Sequence, residues 1–315
     1  MTTDSPATTR SSSTGNGLAL GIASYGIWGL LPLYFILVDF ASAVEIVANR
    51  TLWSLLFCLF LLPFRRGFAH VWQTLRQGRL VRRLALAAAL VACNWLVYVY
   101  AVTHGQVVQA ALGYFINPVL TVLLGVLVLH ERMRGLQWLA VGISLIAVVI
   151  LTLDYGHLPW LALALAITFG LYSLAKNHIG RDVGAISSLS VETLLLAPLA
   201  LVAMLWLDHH GQGHFGRDGT THSLLLMASG IVTALPLVLF AAAARRLPLS
   251  TLGLLQYLAP VMQFLIGVFV LHEAMPPSRW IGFILIWAAL SIISYDAIRH
   301  TRRNRALRRS ALETP

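Results

Sequence analysis

The sequence predicts an all-α integral membrane protein with ten transmembrane helices in an inverted five-plus-five repeat, and three observations carry that prediction. Of its 315 residues 58% are hydrophobic and only 11% are charged, where a soluble domain has about 25% charged residues. The apolar residues gather into ten runs close to the roughly 20 residues a helix needs to cross the hydrocarbon core. The chain also repeats itself: shifted by 142 positions, Leu112 to Glu131 lies without a gap on Leu254 to Glu273. Between Pro118 and Trp138 eleven of 21 positions are then identical, among them Pro118/Pro260, Gly125/Gly267, His130/His272, Glu131/Glu273 and Trp138/Trp280. Apolar bias alone matches Leu and Val; it does not bring Pro, Gly, His, Glu and Trp into register.

Residues 1–16, rich in Ser and Thr, read as a disordered tail with no cleavage site for a leader peptide. The spans follow at 17–37, 43–63, 83–103, 107–128 and 136–153, which make a first repeat over 17–153. Spans 158–176, 186–206, 223–244, 251–271 and 279–297 make a second over 154–298, and 299–315 is a basic tail. Most links are short, so consecutive helices are antiparallel neighbours; the exceptions are a basic link, 64–82, and a His- and Gly-rich link, 207–222. With a cytoplasmic amino terminus, nineteen of the 22 Lys and Arg residues fall on the inside, leaving Arg217, Arg279 and the intramembrane Arg50. That asymmetry predicts cytoplasmic termini. Five helices per repeat is an odd number, so the second repeat enters the membrane from the opposite side. This plan recurs in secondary transporters, whose substrate sites lie between the halves.

Candidate site residues come from mid-span polarity. Pro118 and Pro260 fall near the middle of the fourth and ninth spans, where each frees a backbone carbonyl. A matched pair of interrupted helices points to a transport site, with a kink relieved by neighbouring helices as the structural alternative. Tyr114, Asn117 and Thr121 share one helical face, and Gln256 and Gln263 occupy the twin positions of Tyr114 and Thr121. Asn94 and Tyr98 in the third span, Trp28 in mid-first span and Tyr172 in the sixth add polar and aromatic groups. Arg50 and Glu192, also 142 positions apart, are the ionisable residues well inside apolar spans, each costing about 2.5 to 3.5 kcal/mol at the bilayer centre. At 1.5 Å per residue in a core about 30 Å thick, their backbones stand roughly 11 Å apart, so a direct bridge requires both side chains extended. The expectation is that both line a hydrated passage, Arg50 drawing an anionic group and Glu192 a cation or proton; a structural role is the alternative for each.

Other chemistry is excluded. Gly211, Gly213 and Gly216 spell G-x-G-x-x-G in a hydrophilic loop with no strand before or helix after, which is not a dinucleotide site. His209, His210, His214 and His222 share that loop without the spacing of a metal site. Asn49-Arg50-Thr51 is a sequon within a span, and Cys58 and Cys93 lie in apolar runs. No nucleotide loop, metalloprotease helix or catalytic triad occurs, so neither a cofactor nor a metal is expected, and the net charge of +10 is read as membrane orientation rather than nucleic-acid binding.

The strings Gly113-Tyr114-Phe115-Ile116-Asn117-Pro118, Asn94-Trp95, Trp53-Ser54, Glu192-Thr193, Thr233-Ala234-Leu235-Pro236 and Leu249-Ser250-Thr251-Leu252-Gly253 with Gln256-Tyr257 and Pro260 resemble the RarD branch of the EamA family, in the drug/metabolite transporter superfamily. The resemblance runs from about Gly17 to Arg299. It implies a multi-pass bacterial inner-membrane permease with a central cavity, and adds Tyr257 to the candidates. Two departures stand out: Asn49 where the family pattern has His, and His130 and His272 where it has Gly before Glu. The resulting expectation is a secondary carrier of a small metabolite, amino acid or drug-like compound, working by alternating access among membrane lipids; ion or proton coupling stays open. The alternatives are an intramembrane enzyme acting on lipid and a non-transporting scaffold.

Overall fold

The computed structural model describes residues 7–62, 67–129, 134–179, 185–244, 246–247, 251–252 and 255–313. Its helices are α1 (Ala7–Leu37), α2 (Ala43–Leu61), α3 (Gly67–Leu75), α4 (Gly78–Thr103), α5 (Val107–Leu129), α6 (Gly135–Tyr155), α7 (Trp160–Ile179), α8 (Ala185–His209), α9 (Thr220–Ala244), α10 (Leu258–Leu265, continued by a π turn over Ile266–Val270) and α11 (Pro277–Glu313). No strand occurs among the described residues. Eight helices are long and apolar enough to cross a membrane, and two shorter apolar helices, Trp160–Lys176 and Leu258–Val270, accompany them. The protein is an all-α membrane protein. Residues 7–16 and 299–313, read from composition as tails, continue α1 and α11.

One element was not foreseen. Within the basic link 64–82, the nine-residue α3 buries Val71 and Thr74 and leaves Phe68 and Trp72 51% and 59% exposed. It is too short to span a bilayer, and its mixed faces suit the interface between lipid and water.

The twin elements run in opposite senses. At one end of the α6–α11 pair Arg134 faces Asp296 in an ion pair of 2.9 Å whose angle falls short of a hydrogen bond. At the other end Arg279 Nε donates to Asp154 at 3.0 Å, and Ser278 donates to the same carboxylate. Asp154 and Asp296 are themselves 142 positions apart, so the two fifth helices of the repeats are antiparallel and clamped at both ends. Likewise Glu273, just past α10, accepts hydrogen bonds from the first-turn amides of α5, Val107 N at 2.6 Å and Val108 N at 2.9 Å. A carboxylate there satisfies amides that the helix cannot. Its twin, Glu131, lies with His130 outside the described residues. The other pairings obey the same two-fold rule: α1 packs on α9 as α4 packs on α7, and α1 on α10 as α5 on α7.

Close approach fixes two of these seams. A Cβ on Gly230 of α9 would fall 2.4 Å from the Trp53 carbonyl carbon of α2, and one on Gly113 of α5 would fall 2.7 Å from the Ala162 oxygen of α7. No other residue fits without moving backbone, the usual route to tight helix contact in lipid.

The twin prolines are not equivalent. Pro118 is interior to α5, where its ring removes the bond to the Tyr114 carbonyl. Pro260, expected at mid-helix, stands instead in the first turn of α10, because the chain makes a turn at Gln256–Tyr257 and the helix starts at Leu258. A missing amide there interrupts nothing. The second repeat is broken before its proline rather than at it.

Candidate functional site

Helix α2 packs against α4, α8 and α9, so its polar residues Glu45, Asn49, Arg50, Thr51 and Ser54 are all buried. Arg50 is only 4% exposed. Its guanidinium carbon lies 4.2 Å from the Trp95 ring centroid and 5.7 Å from that of Phe35, and Tyr34, Tyr98 and Tyr114 are close enough to act on its charge. Ring faces attract a cation without neutralising it. No carboxylate among the described residues pairs with Arg50, and its Nε and Nη1 have no hydrogen-bond partner.

Glu192, the twin of Arg50, is 1% exposed on α8 and fully engaged. Its Oε1 meets Lys176 Nζ at 2.6 Å and Ser188 Oγ at 2.8 Å, and its Oε2 accepts from the Tyr172 hydroxyl at 3.3 Å. The direct Arg50–Glu192 bridge is not made. The two charges are instead joined through rings: Phe35–Tyr98 at 5.9 Å, Tyr98–Tyr114 at 5.7 Å, Tyr114–Phe169 at 5.8 Å and Phe169–Tyr172 at 6.0 Å. Asn94 braces this ladder, accepting from the Tyr114 hydroxyl at 3.2 Å and donating to Leu165 O and Thr168 Oγ1 of α7.

Six of the thirteen residues singled out from the sequence, Arg50, Asn94, Tyr98, Tyr114, Tyr172 and Glu192, thus form one connected group. Trp28 and Gln263 form a second: Gln263 Nε2 donates to Trp28 O at 3.0 Å, its Oε1 is buried without a partner, and the Trp28 ring packs on Tyr25 and Phe240. Asn117 Oδ1 is also buried and unpartnered, beside Gly170. The remaining residues stand apart. Gln256 is exposed in the turn before α10, Tyr257 turns its hydroxyl to Ser294 at 3.4 Å, and Pro118 and Pro260 shape backbone. Thr121 is exposed and bonds the Asn117 carbonyl of its own helix.

Sequence reasoning missed Phe35, Trp95, Phe169, Lys176 and Ser188. The repeat carries a signal for one of them: Lys176 is the twin of Tyr34. In the second repeat that position supplies a counter-charge to Glu192. In the first it supplies a phenol whose hydroxyl is turned away, to Leu225 O at 2.7 Å.

In the first turn of α2, Glu45 ties the 207–222 link to that helix, accepting from His214 N at 2.7 Å and Phe215 N at 3.0 Å, with His214 Nδ1 at 2.8 Å. Among the described residues no group of three His, Cys, Asp or Glu side chains could hold a metal ion. At the end of α10, burial pushes the Glu273 carboxyl above its ordinary range, against the opposing pull of the Val108 and Val107 amides and of Arg279.

The model of the EamA-like transporter family matches residues 15–153 and again residues 159–295. The Protein RarD of Streptomyces exfoliatus is 49% identical over 298 residues, covering 95% of this chain and 94% of its own. An uncharacterized transporter of Bacillus subtilis, YojE, is 40% identical over 296 residues, covering 93% and 98%. A solved crystal structure shares the fold with a TM-score of 0.57 at 21% identity, over 90% of this chain and 97% of that one. The chain belongs to the EamA-like transporter family and is a multi-pass membrane protein.

Proposed function

We propose that this protein is a secondary carrier for a small metabolite bearing a negatively charged group, which Arg50 receives between the two repeats. One observation carries the reading: a guanidinium buried at span depth, stacked on rings, with two nitrogens unpartnered and no carboxylate of the described residues paired with it. A buried charge without a counter-charge is costly, and a carboxylate or phosphate on the substrate relieves that cost on binding. The unpartnered Tyr98 hydroxyl, Asn117 Oδ1 and Gln263 Oε1 add polar groups for the rest of the molecule, and the aromatic ladder adds apolar walls. Antiparallel twin helices support exchange of access by motion of one repeat against the other, with both termini cytoplasmic and the protein in the inner membrane.

An intramembrane enzyme is the competing reading, because Ser188 Oγ lies 2.5 Å from Lys176 Nζ and a Ser–Lys dyad is a known nucleophile arrangement. The Glu192 carboxylate lies 2.6 Å from the same Nζ and also accepts from Ser188 Oγ at 2.8 Å, so both members of the dyad are engaged as its hydrogen-bond partners. The carrier is therefore preferred.

Counterflow in proteoliposomes against a panel of labelled carboxylates, phosphates and neutral analogues tests it. Saturable exchange of an anionic compound, lost in Arg50→Gln, is the expected result. Exchange confined to neutral compounds and unchanged by Arg50→Gln overturns the role of Arg50; product formation without flux overturns the carrier.

A further inference from the structure

A groove of about 350 Å³ opens sideways between α4 and α7, lined by Arg83, Leu86, Leu90, Leu171, Leu174 and Ala175. It has an apolar floor and a basic mouth. Along α4 the residues Arg79, Arg83, Leu86 and Leu90 are spaced by four, three and four, one continuous stripe on a helix, so two arginines stand in line with the groove. Arg82, one turn from Arg79, flanks them; all three arginines are exposed. From Arg83 to Leu90 the stripe runs about 10 Å. Helical side chains lean toward the amino terminus, which carries the guanidinium groups away from the leucines and toward the membrane surface.

Neighbouring residues mark that surface. Trp72 and Phe68 on α3 are exposed, and the Arg76 guanidinium lies 5.1 Å from the Trp72 ring centroid, an aromatic and basic pairing typical of headgroup depth. The nearby Lys176 is engaged with Glu192 and Ser188 and is not free for a ligand. The scaffold does not require these charges either: the twin positions of Arg79, Arg82 and Arg83 on α9 are Thr221, Leu224 and Leu225.

We infer that the α4–α7 groove seats an anionic phospholipid, its phosphate held by Arg83 with Arg79 and Arg82 and one acyl chain lying along the leucines beneath. Charge complementarity argues for this occupant. The groove joins a cluster of positive charge to an apolar trough a few ångströms deeper, the same order in which a phospholipid presents its phosphate and its chain. A zwitterionic lipid fills the trough equally well but gains less from three guanidinium groups. Each basic residue near an anionic headgroup is worth about fivefold in binding, so neutralising two costs about 25-fold.

Native mass spectrometry of the full-length protein in detergent tests the site, with phosphatidylglycerol and phosphatidylcholine of identical chains added in turn. Expected for the wild type is retention of phosphatidylglycerol over phosphatidylcholine by tenfold or more. Arg82→Gln/Arg83→Gln removes that preference, and Ala175→Trp, which fills the trough, lowers retention of both lipids. Leu86→Trp, at an exposed position, does the same if Ala175→Trp fails to fold. Equal retention of the two lipids by the wild type overturns the proposal, as does a preference unchanged in Arg82→Gln/Arg83→Gln. Displacement of the lipid by millimolar inorganic phosphate also overturns it, leaving a simple anion site. Loss of flux in Ala175→Trp with lipid retention unchanged overturns it in favour of a lateral path for substrate.

Discussion

Arg50 and Glu192 occupy the same place in the two repeats and meet opposite circumstances. Glu192 has an ammonium, a hydroxyl and a phenol within hydrogen-bond distance; Arg50 has ring faces and two idle nitrogens. The difference is written in three pairs of twin residues: Lys176, Ser188 and Tyr172 around Glu192 correspond to Tyr34, Ile46 and Leu30 in the first repeat. A charge whose partners come from its own chain holds the fold together. In the function proposed above, a charge that lacks them receives its partner from the substrate.

The sharpest way to break this contrast is to make Glu192 as lonely as Arg50. Lys176→Met strands a carboxylate that is 1% exposed, and removing one partner of a buried pair costs about 3 to 5 kcal/mol. A large fall in melting temperature in detergent is expected, recovered for the most part in Lys176→Met/Glu192→Met. The mirror experiment, Arg50→Gln, is expected to cut exchange by about tenfold to hundredfold, or about 1.4 to 2.7 kcal/mol, with melting unchanged or raised. Should Arg50→Gln destabilise as much as Lys176→Met, the two residues play the same part and the contrast fails.

Smaller effects are expected just past the end of α10. His272 has φ 53°, a left-handed conformation that costs a residue with a Cβ about 1 to 2 kcal/mol and that glycine adopts freely. His272→Gly is therefore expected to raise stability by up to about 1 kcal/mol, read by thermal melting. The smallest effect concerns Glu273. Its folded carboxyl titrates above the ordinary 4.5, so the folded chain holds that proton more tightly than the unfolded one. The stability this lends is fully present below the unfolded value and lost as pH rises through the folded value. The melting advantage of wild type over Glu273→Gln is expected to shrink along that rise; an advantage that grows instead reverses the sign.

How much of this was legible beforehand depended on the kind of residue. The repeat, the spans, and the depth of Arg50 and Glu192 are written in polarity against an apolar background, so a single chain shows them. Lys176 was readable only as one more basic residue at a helix end, because nothing local distinguishes a lysine facing a partner from one facing water. Trp95, Phe35 and Phe169 were hidden for the opposite reason: in a span that is apolar on every side, periodicity does not say which ring faces inward. The turn at Gln256–Tyr257 escaped because the run 251–271 is continuous in composition and its Pro260 was matched by register to Pro118. Register preserves residue type across the repeat, but backbone conformation has diverged.

The seam between α6 and α11 has a mechanical consequence. Its two ion pairs sit at opposite ends of one antiparallel contact, so sliding either helix along the other by a single turn, about 5.4 Å, breaks both together. A ratchet-like slip therefore loses both contacts at once, and in the carrier proposed above the pair is suited to serve as the axle of the rocking.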